Sequence, residues 1–339
     1  MLTAKRTPLL LAAAAALLLL VGCQKAPSAT ASTQPSSPPA ATPAPISPTP
    51  APPTATSTPK VLPPDPQRIT FEGEHGTMVG YYYPAAEANA PVIVLMHWAR
   101  GDQRDWCLIA PWLQNRAAEK PALMPGCEEA IAKAQPLPGW WDASWFPPMP
   151  QGTSYAVFTF DFPGFGESKG TAYTDTTIRY RPSRQRDDWN ISTQDLLAAM
   201  KTAAALPGVD ANRVIAIGAS IGANGATNGC AALNQAHQQG EPGQCIGAWA
   251  ISPGDYHLGA PFVEASATLA KTSPSVVQWC TAAFAEQAPC KQAKGSLNQT
   301  IIFPKGHGMA FFEPNTYPMK PGRDATIMDF LQEFLEALL

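Results

Sequence analysis

The sequence predicts an α/β domain, a mostly parallel central sheet with helices on both faces, over residues 67–339. Three observations predict it. Short apolar runs at 91–96 (PVIVLM), 155–160 (YAVFTF) and 214–219 (VIAIGA) have the length and near-continuous hydrophobicity of strands covered on both sides. Each empties into a loop rich in small residues, and stretches of helical periodicity lie between and after them. At 192–225 a helix, a Pro207-Gly208 loop, a strand and a second helix follow one another, the alternation a parallel sheet requires.

The chain begins with Lys5 and Arg6, an apolar run from Leu9 to Val21, and Gly22-Cys23. The run is shorter than the roughly 20 residues needed to cross a hydrocarbon core, so residues 1–22 read as an export signal. Leu20-Val21-Gly22-Cys23 resembles the bacterial lipobox, which implies cleavage before Cys23, diacylglycerol on its sulfur and membrane attachment through that lipid alone. Residues 23–66 are almost wholly Pro, Ser, Thr and Ala. Such a segment has nothing to bury and favours extended polyproline conformations, a disordered tether reaching at most on the order of 100 Å at ~3.1 Å per residue.

The whole chain carries 23 basic and 26 acidic residues. Loss of residues 1–22 removes Lys5 and Arg6 and no acid, moving the net charge from −3 to −5. Nothing in that balance points to nucleic acid. Cys23 aside, the cysteines fall in three local couples, read as the disulfides Cys107–Cys127, Cys230–Cys245 and Cys280–Cys290 of an exported protein. No C-x-x-C spacing suggests a metal.

In chain order, 67–72 and 77–83 flank Gly73-Glu74-His75-Gly76 as a hairpin. The strand at 91–96 ends in His97-Trp98-Ala99-Arg100-Gly101. An insertion of about 107–150 follows, and GWWDASWFPPMP at 139–150 concentrates Trp140, Trp141, Trp145 and Phe146. Those aromatics read either as a satellite core or as a wall over a binding site. The next strand ends in Asp161-Phe162-Pro163-Gly164-Phe165-Gly166-Glu167-Ser168. Arg179, Arg181, Arg184 and Arg186 cluster with Asp187 and Asp188, read as a solvated loop. Residues 192–205 form a helix with Ser192 or Thr193 as its cap. The elbow strand then meets Gly218-Ala219-Ser220-Ile221-Gly222, and a helix runs to about Gln239. A strand at 246–252 leads to Pro253-Gly254-Asp255, another is expected at 261–270, and the last at 300–303 precedes Gly306-His307-Gly308. An amphipathic helix at 325–338 turns Ile327, Met328, Phe330, Leu331, Phe334 and Leu335 inward.

Three of these stretches resemble the α/β-hydrolase superfamily, its serine esterases and dienelactone hydrolases in particular. G-A-S-I-G resembles the nucleophile elbow, in which glycines two positions either side leave room for a strained turn. His97-Trp98-Ala99-Arg100-Gly101 resembles the oxyanion loop, with Trp98 where the superfamily usually has glycine. Asp161–Ser168 resembles the D-x-x-G-x-G-x-S turn, whose aspartate is structural.

The resemblance implies Ser220 as nucleophile, His307 as general base, and an oxyanion hole from the backbone N–H groups of Ile221 and Ala99. His97 orients the loop; His75, His237 and His257 read as structural or solvent-facing. The acid expected after the strand at 261–270 is missing, because Lys271-Thr272-Ser273-Pro274 holds no carboxylate. Asp255 is the first choice in its place and Glu264 the alternative, while Glu286, inside the Cys280–Cys290 segment, is left unassigned. The implied activity is hydrolysis of a small or polymer-borne carboxylic ester without a cofactor, outside the cytoplasm. The rival reading is a non-catalytic or weakly active surface lipoprotein that binds a ligand, motivated by the missing acid.

Overall fold

The computed structural model describes residues 63–116, 122–134, 136–169, 192–257, 260–319 and 324–338. The export signal, Cys23, nearly all of the tether and the Arg179–Asp188 cluster lie outside the described residues, as does the His257 side chain. At the tether's end, Pro64 and Asp65 meet the folded body. The Arg116 guanidinium donates to Pro64 O at 3.0 Å and to the Asp65 carboxylate at 2.6 Å.

The chain opens with the hairpin β1 (Gln67–Gly73) and β2 (Gly76–Tyr83), then β3 (Ala90–Met96). The short helices α1 (Ile109–Leu113) and α2 (Cys127–Lys133) precede β4 (Ala156–Phe160). Next come α3 (Thr193–Ala204), β5 (Val209–Ala219), α4 (Ile221–Gln238) and β6 (Cys245–Ile251). A two-stranded pair, β7 (Tyr256–His257) and β8 (Ala260–Pro261), leads into α5 (Phe262–Leu269). The chain closes with β9 (Val277–Ala283), α6 (Ala288–Gln292), β10 (Gln299–Phe303) and α7 (Ile327–Glu336).

Among the described residues the main sheet runs β1-β2-β4-β3-β5-β6-β9-β10. Only the two pairings that involve β2 are antiparallel, and every later neighbour is parallel. The period of two in each strand divides its side chains between two cores. Ile93 and Leu95 of β3, Val157 of β4 and Ile215 and Ile217 of β5 face one side, where α7 packs. Val92, Val94, Phe158, Val214 and Ala216 face the other, against α3 and α4.

Local chemistry sets the helix ends. Ser192 and Asp195 form a reciprocal cap on α3, and Thr326 and Asp329 do the same on α7. Six apolar side chains of α7 are buried, those its periodicity selects. Each such burial stabilises the fold by about 2 kcal/mol.

The expected strand at 261–270 is instead the helix α5. Phe262, Ala265, Ser266 and Leu269 are buried at helical spacing, and that periodicity prevails over the apolar content that suggested a strand. The strand in this part of the sheet is β9, whose register pairs Ala250 with Cys280 and Cys280 with Thr300. Everything after Asp255 therefore shifts by one element.

The three disulfides join the expected cysteines, with Cα–Cα separations of 6.0 Å (Cys107–Cys127), 5.3 Å (Cys230–Cys245) and 5.7 Å (Cys280–Cys290). Among the described residues no helix is long and apolar enough to cross a membrane.

Candidate active site

Ser220 sits where β5 turns into α4, with φ 56° and ψ −113°. A non-glycine residue held at positive φ is strained, and the surroundings must impose it. They do so by close approach. A Cβ on Gly218 would collide with Gly222 O, and one on Gly222 with the carbonyl oxygens of Met96 and His97. Helix and strands thus meet backbone to backbone, and Ser220 N–H donates to Ile251 O at 2.8 Å, fixing the turn to β6.

His307 follows β10 between Gly306 (φ 121°) and Gly308 (φ 55°). Its Nε2 lies 2.8 Å from Ser220 Oγ, and its Nδ1 lies 2.8 Å from Glu286 Oε2. A carboxylate only accepts, so Nδ1 carries the proton and Nε2 presents its lone pair to the serine O–H. Ser252, at the end of β6 with φ 59°, accepts from the Gly308 N–H at 3.0 Å and holds the base loop against the sheet.

The carboxylate on His307 is therefore Glu286 rather than Asp255 or Glu264. Asp255 is an exposed residue beside the small β7–β8 ribbon, and Glu264 lies in the first turn of α5. Glu286 ends the turn that directly follows β9. Sequence reasoning missed it because β9 was missed. Correct assignment of residues 277–283 as a strand would have placed an acid three residues beyond a strand end, in the gap left between elbow and base.

The loop at 97–101 is shaped from below by His97, which is fully buried. Its Nδ1 donates to Trp98 O at 2.7 Å and its Nε2 accepts from the Phe162 N–H at 3.2 Å. One partner is a carbonyl and the other an amide N–H, so the ring is neutral, and burial pushes its pKa down to about 4. Ala99 lies in this loop. Ile221 opens α4, where first-turn amides have no helical carbonyl to meet. Asp161 is a turn-former, accepting from the backbone N–H groups of Gln103 and Glu167 at 2.8 Å each.

Trp98, standing where the superfamily usually has glycine, packs against Gly308 and the Ser220 side of the site. Its ring meets Trp140 edge-on at 5.7 Å, with the Arg100 guanidinium 5.9 Å from its centroid. Trp140 is buried, and Trp141, Trp145 and Phe146 pack half-buried on the same core. The Trp145 indole donates to Gly139 O at 2.9 Å and the Trp112 indole to Pro147 O at 2.7 Å. Rather than forming a separate satellite, these aromatics extend the core on the α7 side of the sheet and reach the site through Trp98. Beneath them Asp105 is buried against Gly101. The indoles of Trp98 and Trp140 face its carboxylate, yet neither N–H reaches hydrogen-bond geometry. Burial, reinforced by the nearby charge of Asp102, pushes the Asp105 pKa up to about 8.

An α/β sheet that carries a serine at a glycine-flanked strand-to-helix turn, with a histidine and a carboxylate in line behind it, defines a hydrolase-type scaffold. The chain belongs to the alpha/beta hydrolase family, whose pattern it matches over residues 137–324. Three solved structures are similar to it. An acetyl xylan esterase from a Paenibacillus species has 13% identity and a TM-score of 0.46, over 80% of this chain and 83% of that one. An esterase from Pyrococcus furiosus has 13% identity and a TM-score of 0.48, over 81% and 93%. A dienelactone hydrolase from Anabaena variabilis has 11% identity and a TM-score of 0.44, over 80% and 99%. No curated protein sequence matches the chain significantly.

Proposed function

We propose that this protein is a serine hydrolase that cleaves carboxylic esters through an acyl-enzyme on Ser220, anchored by lipid at Cys23 on the extracytoplasmic side of a bacterial membrane. The observation that carries the reading is the line Ser220–His307–Glu286, with 2.8 Å at each step. In that geometry Ser220 Oγ attacks the ester carbonyl while His307 Nε2 takes its proton. Glu286 stabilises the resulting imidazolium through Nδ1–H. The oxyanion lies between the N–H groups of Ile221 and Ala99, each such donor contributing about 3 kcal/mol to the transition state. The imidazolium then gives its proton to the departing alkoxide, and the alcohol leaves. Water, deprotonated by the same imidazole, attacks the acyl-enzyme and releases the acid.

Export is supported by the lipobox-like Leu20-Val21-Gly22-Cys23 and by three disulfides, which persist in oxidising compartments. The rival reading of a non-catalytic surface protein is motivated by a missing acid, and against it stands the Glu286 carboxylate 2.8 Å from His307 Nδ1. The test is labelling of the purified protein with a fluorophosphonate, the adduct located by peptide mass and Ser220→Ala run alongside. Rapid labelling confined to Ser220 is expected. A folded sample that does not label would sink the proposal.

A further inference from the structure

Glu286 is held unlike the other two members of the line. Its side chain is 42% exposed, and among the described residues its carboxylate hydrogen-bonds His307 alone. A glutamate with a three-bond side chain and no second partner is aimed by its backbone or not at all. Its turn, residues 284–286, is a single 3-10 turn, closed by the Gln287 side-chain amide donating to Phe284 O at 2.6 Å, and is followed by α6, which at five residues is too short to hold itself.

The covalent tie between that turn and the sheet is a disulfide. Cys280 lies in β9 between β6 and β10, buried and paired in register on both sides. Cys290, on α6, is equally buried, among Ala223, Ala250, Phe262 and Ala282. Their disulfide closes a loop of sequence separation 10, and Glu286 lies inside it. Neither of the other two disulfides encloses Ser220, His307 or Glu286.

We infer that the Cys280–Cys290 disulfide aims the Glu286 carboxylate at His307, which makes these cysteines positioning residues of the catalytic line. The inference rests on the triad proposed above. Closing a short loop onto a sheet strand removes most of the arrangements open to the turn. Misplacing a catalytic group by about 1 Å costs on the order of 100-fold in rate.

The experiment measures kcat and KM on p-nitrophenyl acetate, per phosphonate-titrated site, for the wild-type protein, Cys280→Ala/Cys290→Ala, Glu286→Gln and the combination. Cys230→Ala/Cys245→Ala, which removes a disulfide away from the triad, is the control. Removing the 280–290 pair is expected to lower kcat roughly tenfold with KM within about twofold, while the control changes kcat less than about twofold. In the Glu286→Gln background the same removal is expected to change nothing further, because a device that acts through Glu286 has nothing left to aim. An undiminished kcat in the cysteine variant overturns the inference, as does an equal fall with or without Glu286. If Glu286→Gln itself has wild-type kcat, the triad reading fails and the inference falls with it. If Glu286→Gln is impaired and the cysteine variant is not, only the inference fails. Should the cysteine variant not fold, two glycines inserted between Gln287 and Ala288, with the disulfide kept, loosen the same loop. Loss of kcat then supports the inference, and wild-type kcat overturns it.

Discussion

The two ends of the proposed catalytic line are held by opposite means. Ser220 is buried, strained and locked by backbone contacts that admit only glycine at 218 and 222. His307 and Glu286 are 37% and 42% exposed, on loops that follow adjacent parallel strands, and a few side-chain bonds align them. The geometry at Ser220 is a property of about five consecutive residues and the backbone they touch. The His307–Glu286 geometry is a property of sheet order, since β9 and β10 must lie side by side for their loops to meet. The first end is expected to fail all at once when its glycines change, the second to degrade by degrees.

The largest effects belong to the proposed nucleophile. Ser220→Ala is expected to abolish detectable turnover, a loss of at least about 10⁴-fold in kcat, with the fold intact by circular dichroism. Activity retained above that level would break the comparison at its root. Gly222→Val is expected to destabilise the protein by at least about 3 kcal/mol in urea unfolding, because its side chain would meet the backbone of β3. Glu286→Gln comes next, with kcat down on the order of 10²- to 10⁴-fold and KM little changed, since it leaves His307 in place but without a charged partner. Asp255→Asn, by contrast, should retain kcat within about twofold; a loss as deep as that of Glu286→Gln would restore Asp255 to the site.

Ser252→Ala sharpens the comparison from the base side. It removes the hydroxyl that accepts the Gly308 N–H, and an expected kcat loss of about tenfold corresponds to roughly 1.4 kcal/mol of misalignment. A loss as severe as that of Ser220→Ala would mean that the base loop is as rigidly determined as the elbow.

The smallest effect is one of pH. Burial raises the folded pKa of Asp105 from the model-compound 3.8 to about 8. Between those values the folded state keeps a proton that the unfolded state has lost. The contribution of Asp105 to stability is therefore expected to fall as pH rises from about 4 to about 8 and to level off above. Asp105→Asn removes that contribution, so its stability relative to wild type should be greater at pH 8.5 than at pH 5 in urea unfolding. A difference that does not vary with pH would mean that Asp105 is ionised among its indoles throughout.

How much of this was readable beforehand follows the same division. Gly218-Ala219-Ser220-Ile221-Gly222, His97 with its loop, and Gly306-His307-Gly308 are local signatures, because each demands particular residue types at fixed spacing for steric reasons. The apolar face of α7 and the cap on α3 were legible through periodicity and short-range hydrogen bonding, whereas the Thr326–Asp329 cap on α7 emerges from the structure. The segment 261–283 was not. Its helix is apolar enough to pass for a strand, and its strand, VQWCTAA, is short and interrupted by polar residues.

By itself the sequence determined the fold class, the serine turn, the histidine and the cysteine couples, since these depend on chemistry within a few residues or on composition. Only the tertiary structure decided which carboxylate faces His307, that Ser252 holds the base loop, and that Trp98 and Trp140 enclose Asp105. Apart from Trp98 and Asp105, which are close in sequence, those contacts join residues well separated in the chain. A carboxylate needs no special neighbours in sequence to reach an imidazole; it needs the end of the adjacent strand, and strand adjacency is fixed by how the whole sheet packs.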